Sequence, residues 1–85
     1  DRARVNDQAL LIESMEMREA LMGADTLEQI DSLLDRAQND IKLCIETLSK
    51  SFSKNDIDNA CKHTIRLKYL KKLADETRIK KVKFI

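Results

Sequence analysis

Apolar residues recur along most of the chain at three- and four-residue intervals, the spacing that places them on one face of an α-helix. They fall into three blocks separated by short polar stretches. The first block predicts a helix over about residues 6–22. Asn6 or Asp7 can cap its N-terminus, and Gly23 is expected to end it as a left-handed C-cap residue.

The second block predicts a long helix over about residues 25–52, roughly 27 residues or ~40 Å at 1.5 Å per residue. Asp25 followed by Glu28 resembles a capping box at its start. A helix of this length in so small a chain is expected to be the spine of the domain. The positions predicted to face the core are Leu27, Ile30, Leu34, Ala37, Ile41, Cys44 and Leu48, widened by Leu33 and Ile45.

The third block follows a turn at residues 51–55 and predicts a helix to about residue 82, with Asn55 as its N-cap and Asp58 in its first turn. One side carries Ile57, Ala60, Thr64, Leu67 and Ala74, widened by Leu70, and a different side carries Ile65, Tyr69 and Leu73. Short connections make consecutive helices antiparallel. The fold class is therefore predicted to be all-α, a three-helix antiparallel up-down-up bundle with a long central helix, forming a single domain over residues 1–85.

The first helix carries more apolar surface than one core contact needs. Leu10, Met17 and Leu21 form one stripe, and Leu11, Met15 and Met22 form a second about 120° round the helix. Ile12 lies beside the second stripe, and Glu16 and Glu19 border it. The second stripe, like Ile65 and Tyr69 on the third helix, either widens the core of the bundle or binds another protein.

Charge is distributed unevenly along the chain. Residues 1–40 have a net charge of −6 and residues 62–85 a net charge of +7, whereas the whole chain has +1. Such polarity suits packing of an acidic helix against a basic one as well as binding of an external polyanion. Basic residues surround the third helix on all sides and Tyr69 is the only aromatic among them, so nucleic-acid binding is the less favoured alternative. No stretch resembles a membrane span.

No catalytic constellation is visible, so the chain is not expected to be an enzyme. Glu13, Glu16 and Glu19 are interpreted as solvated carboxylates. Cys44 and Cys61 form neither a disulfide framework nor a CxxC pair, and Cys61 and His63 point about 160° apart on a helix, so no metal or other cofactor is expected. The first residue is Asp, which suggests a fragment or a processed product.

Two stretches resemble one known family. These are LLIESMEMREAL at residues 10–21 and IDNACKHTIRLKYLKKLADETRIKKV at residues 57–82. Together they resemble the C-terminal domain of the HscB family, J-type co-chaperones of iron–sulfur cluster assembly. The family motif close to L-[RK]-[FY]-L-x-K-L corresponds to residues 67–73 (LKYLKKL), and its helix opening corresponds to Asp56, Ile57 and Ala60.

The resemblance implies a three-helix domain that binds the cluster scaffold protein (IscU type) and presents it to a dedicated Hsp70. Its scaffold contacts would be Leu11, Ile12, Met15, Glu16, Arg18, Glu19 and Tyr69 of this sequence. The family's J-domain, with its HPD tripeptide, has no counterpart here, so we expect a fragment that binds scaffold without activating the chaperone alone. The expected location is the bacterial cytoplasm, with the mitochondrial matrix as the alternative. A homo-oligomerising bundle is a further alternative function.

Overall fold

The computed structural model describes residues 8–85, which form three helices and no strand. They are α1 (Gln8–Gly23), α2 (Leu27–Ser53) and α3 (Ile57–Val82). The all-α bundle with a long central helix is therefore confirmed. The caps predicted at Asn6 and Asp7 lie outside the described residues.

Helices α2 and α3 form a long antiparallel hairpin that contains most of the core. The inward-facing side chains of the two helices pack into one core cluster, which also includes two residues of α1. The buried residues of this cluster are Met17, Leu21, Leu33, Ala37, Cys44, Leu70, Leu73 and Ala74, with Leu34, Ile41, Leu67 and Tyr69 packed against it. Ile30 and Ala60 are also buried. Most of the predicted core stripe is thus confirmed.

Four positions differ from the predicted core. Leu27, Ile45 and Ile57 were assigned to the core but are exposed. Leu73 was placed on a side away from it, yet is only 2% exposed. Leu73 is buried because α3 contacts two helices, so its buried face is wider than one stripe and includes the side that packs with Met17 and Leu21 of α1. Leu27 and Ile57 are the first residues of their helices, where the other helices cover little of the surface.

The helix ends also differ from the prediction by about one residue. The capping box of α2 is formed by Thr26 and Gln29, not by Asp25 and Glu28: the Gln29 N–H donates to Thr26 Oγ1 at 3.1 Å, and the Thr26 N–H donates to Gln29 Oε1 at 3.2 Å. The N-cap of α3 is Asp56, whose carboxylate accepts from the Asn59 N–H. Asn55 instead takes a left-handed conformation with φ 61° in the turn.

Gly23 does not have the left-handed conformation expected of it, and α1 includes it. Lysine takes over the role of a C-cap here. Lys80 Nζ donates to the carbonyl oxygens of Leu21 at 2.5 Å and Met22 at 3.2 Å. A cation at the C-terminus of a helix satisfies its last carbonyls and interacts favourably with its dipole.

Helix α1 packs on one side of the hairpin and runs parallel to α3. The direction is shown by their contacts, since residues later in α1 contact residues later in α3. Arg18 pairs with Glu76 at 2.7 Å, and Lys80 reaches the last turn of α1. Lys81 of α3 pairs with Asp31 of α2 at 2.8 Å. These contacts show that part of the charge polarity is used within the bundle. None of the helices in residues 8–85 has the length and apolar character needed to cross a bilayer.

Candidate protein-docking face on the first helix

The exposed side of α1 carries a patch of large apolar side chains. Leu11 is 59% exposed, Ile12 52% and Met15 54%. Leu10, Met17 and Leu21 of the same helix are buried against the hairpin. The two stripes inferred from periodicity therefore face in different directions, one into the bundle and one into solvent. We call the exposed surface formed by the patch and its neighbouring carboxylates the outer face, and define it as Leu11, Ile12, Met15, Glu16 and Glu19.

Charged residues border this patch. Glu16 and Glu19 are exposed. Arg18 Nη1 contacts Glu76 Oε1, and the two side chains are 46% and 33% exposed. An ion pair this accessible contributes little to stability, so Arg18 can exchange Glu76 for another partner at small cost. Apolar contacts surrounded by a charged rim are the arrangement found at protein interfaces.

Tyr69 is placed differently from the exposed residues of α1. It is partly buried and packs against the core cluster. Its hydroxyl donates to Oε1 of Glu13. Of the residues expected to contact a partner, six lie on α1 and are exposed, whereas Tyr69 lies on α3 beneath that helix and offers only part of its ring.

Glu13 is the member of this region that sequence reasoning missed. The sequence predicts a solvated carboxylate, but Arg66 donates hydrogen bonds to both carboxylate oxygens. Nε donates to Oε1 at 2.9 Å and Nη2 donates to Oε2 at 2.9 Å. A usable signal was present in the sequence. Glu13 is three residues after Leu10 and four before Met17, so helical spacing places it beside the buried stripe.

The hydrogen bonds change the ionisation of all three groups. The bond from Arg66 is the main reason that the pKa of Glu13 lies below its ordinary value. The same bond raises the pKa of Arg66. Burial, and then the bond to Glu13, raises the pKa of Tyr69. At neutral pH Glu13 is therefore an ionised carboxylate that accepts hydrogen bonds from the Arg66 guanidinium and from the neutral Tyr69 phenol.

A cleft of about 480 Å³ opens beside this network, near the start of α1. Arg36, Lys62 and His63 line it together with Glu13, Glu16 and Arg66. Burial lowers the pKa of His63, and burial raises the pKa of the Cys44 thiol, which donates to the His63 carbonyl at 3.2 Å. Among the described residues, no group of three or more His, Cys, Asp or Glu side chains is arranged to hold a metal ion.

A second apolar surface lies at the turn end of the hairpin. It is a groove of about 270 Å³ lined by Phe52, Ile57, Ala60, Cys61, Thr64 and Ile65. The sequence grouped Ile65 with Tyr69 as surplus apolar surface. The structure separates them, since Ile65 lines this groove and Tyr69 lies under α1.

Comparison with known families gives one match. The sequence model of the family described as the HSCB C-terminal oligomerisation domain matches residues 6–78. The matched stretch includes all of α1 and α2 and most of α3. Comparisons with curated proteins and with solved structures gave no match.

Proposed function

The chain belongs to the family of HSCB C-terminal oligomerisation domains, from co-chaperones of iron–sulfur cluster assembly, and on this premise we propose that its outer face docks the cluster scaffold protein. The family is a co-chaperone family and not a class of enzymes. The work of the domain is therefore recognition of another protein. In the same proposal the scaffold, of the IscU type, is delivered to a dedicated Hsp70 through the J-domain of the co-chaperone.

The observation that carries the proposal is the exposure of Leu11, Ile12 and Met15 together on one face of α1. Complete burial of an exposed side chain of this size contributes about 1.5–3 kcal/mol, so three half-exposed ones can supply a few kcal/mol to binding. These three side chains lie on a helix that buried Met17 anchors to the bundle, so their backbone is fixed before binding. A rigid face loses little conformational entropy on binding.

The rim gives the face its selectivity. Glu16 and Glu19 supply two exposed carboxylates, which favour a partner whose matching edge is basic. Arg18 adds a cation that is held in a weak pair with Glu76. Tyr69 supplies only the accessible part of its ring, so its share of the contact is smaller than that of Leu11.

The test is calorimetric titration of the domain with a cluster scaffold protein. We expect Leu11→Ala to weaken binding by about 1–3 kcal/mol, or roughly 5- to 150-fold, because it truncates the centre of the patch. Leu43→Ala is the matched control: Leu43 is 49% exposed but lies on α2. Equal binding by both variants and the parent would contradict the proposal.

The groove at the hairpin end supports a second candidate, self-association. Phe52 is 61% exposed and Ile57 57%, so two large apolar side chains that line one groove are open to solvent. The matching family is described as an oligomerisation domain, which favours a second copy as the occupant. Sedimentation velocity over a range of concentrations tests this candidate. Dimers that disappear in Phe52→Ala would support it, and a monomer at all concentrations would exclude it.

A further inference from the structure

We propose that Glu13, Arg66 and Tyr69 act together as positioning residues that fix the rotation of α1, so that its outer face points to solvent. We call these three residues the Glu13 network. The inference rests on the proposed function, since it gives the orientation of the same face. It assigns the Tyr69 hydroxyl to the internal alignment of α1 and not to the partner.

The need for such a device follows from the two apolar stripes of α1. The buried stripe is Leu10, Met17 and Leu21, and the exposed one is Leu11, Met15 and Met22, about 120° away. Each consists of three large aliphatic or thioether side chains. Turning α1 by about 120° would bury the second stripe in place of the first, replacing three large apolar side chains with three others. Hydrophobic contact alone therefore discriminates poorly between the two orientations.

The Glu13 network discriminates strongly between them. In the observed orientation the Glu13 carboxylate accepts two hydrogen bonds at 2.9 Å from Arg66 and one from the Tyr69 hydroxyl. On a helical wheel Glu13 lies about 60° from the buried stripe and about 180° from the exposed one. The alternative rotation would move Glu13 into solvent. Arg66 and Tyr69, both partly buried, would then lose their shared acceptor.

The affinity for the scaffold depends on the fraction of molecules in which α1 has the observed rotation. If only part of the molecules show the outer face, the apparent dissociation constant rises in inverse proportion to that fraction. Hydrogen bonds to charged groups are strong enough to shift such an equilibrium about tenfold or more. Loss of the hydrogen bonds of the Glu13 network should therefore weaken scaffold binding even where Leu11, Ile12, Met15 and the ring of Tyr69 are all retained.

The chain contains a built-in reporter of this rotation. Its three methionines all lie on α1, with Met17 1% exposed, Met15 54% and Met22 75%. With 13C-labelled methionine methyl groups, relaxation by a soluble gadolinium chelate measures the exposure of each position. The parent protein should show Met17 protected and the other two methyl groups accessible.

The variants are Glu13→Gln, Tyr69→Phe and the double variant. We expect each to increase relaxation of the Met17 methyl, to decrease that of Met15, and to weaken scaffold binding several-fold. The double variant should be less than additive, because both changes act on one network. Glu76→Gln is the matched control. It removes an α1–α3 ion pair that is one-third or more exposed on both sides and should leave the methionine pattern unchanged.

The outcomes separate this inference from the proposed function. An unchanged methionine pattern in both single variants would overturn the positioning role. A changed pattern with unchanged scaffold affinity would overturn the link between rotation and docking. A changed pattern combined with wild-type binding by Leu11→Ala would support the alignment of α1 by Glu13 while refuting the outer face as the docking site.

Discussion

Replacement of Met17 by Ala tests how α1 is held on the hairpin. Met17 is 1% exposed and belongs to the core cluster, whereas Met22, on the same helix, is 75% exposed. The pair Met17→Ala and Met22→Ala therefore makes the same chemical change in one helix, once in the core and once in solvent. Any gain in helix propensity is a few tenths of a kcal/mol, about 0.2–0.3, and is small beside the expected difference in burial.

The expected magnitude follows from burial. Truncation of a fully buried methionine to alanine costs about 2–5 kcal/mol, from lost burial and from the cavity that remains. An exposed truncation stays within about 0.5 kcal/mol. The total stability of a chain of this length is on the order of 4–13 kcal/mol, so Met17→Ala should remove a large part of it. For a domain of this size each kcal/mol corresponds to a fall in Tm of about 4–8 °C.

Urea unfolding followed by helical circular dichroism gives the measurement. With a slope of about 1–2 kcal/mol/M, Met17→Ala should lower the midpoint by about 1–5 M, while Met22→Ala should leave it nearly unchanged. A cost below about 1 kcal/mol for Met17→Ala would contradict the burial of Met17 as the contact that holds α1 on the hairpin.

Three further predictions concern ionisation, capping and thiol access. The pKa of Glu13 is lower in the folded state than its ordinary value of 4.5, so the ionised carboxylate stabilises the fold. This contribution is complete above pH 4.5 and disappears as the pH falls through the pKa of the folded state. The Tm difference between the parent and Glu13→Gln should therefore shrink below about pH 4. Thr26→Ala removes the capping bond of α2 and should cost about 1 kcal/mol in urea unfolding, against little for Ser49→Ala on the exposed side of that helix. A thiol reagent should modify exposed Cys61 quickly and buried Cys44 only as the domain opens, which mass spectrometry of the labelled protein measures directly.

Each of these has a contradicting result. A Tm difference for Glu13→Gln that stays constant to pH 3 would mean that the carboxylate gains nothing from its ionised form in the fold. Equal losses for Thr26→Ala and Ser49→Ala would remove the capping box as the start of α2. Equal labelling rates for the two cysteines would contradict the burial of Cys44.

The helical architecture could be predicted from the sequence because periodicity reports directly on burial. The stripes Leu10–Met17–Leu21 and Ile30–Ala37–Cys44 each face the core as their spacing indicates. The predicted helix ends were less accurate, since Asp25 and Thr26 are both good caps and neighbouring residues compete for the same backbone donors. Only the geometry of the turn decides between them.

The wrong predictions for Leu73 and Tyr69 of α3 have one physical origin. A helical wheel places residues around one axis but does not say how many neighbours the helix has. Leu73 and Tyr69 seemed to point away from the core because only the contact with α2 was counted, whereas α1 packs against their side. Glu13 of α1 is a related case: helical spacing indicates that it lies beside the buried stripe, but not that Arg66 of another helix binds it. Polar partners on different helices are set by packing and are not encoded in local spacing.

The most direct test of the central claim is a map of the bound surface on the domain itself. Backbone amide shifts of the 15N-labelled domain would be recorded during titration with an unlabelled cluster scaffold protein. If α1 docks the scaffold, the largest changes fall on residues 11–19 of α1, with smaller ones near Tyr69 and little change around Leu43. Changes centred on the groove of Phe52, Ile57 and Ile65, with α1 unaffected, would contradict docking by α1.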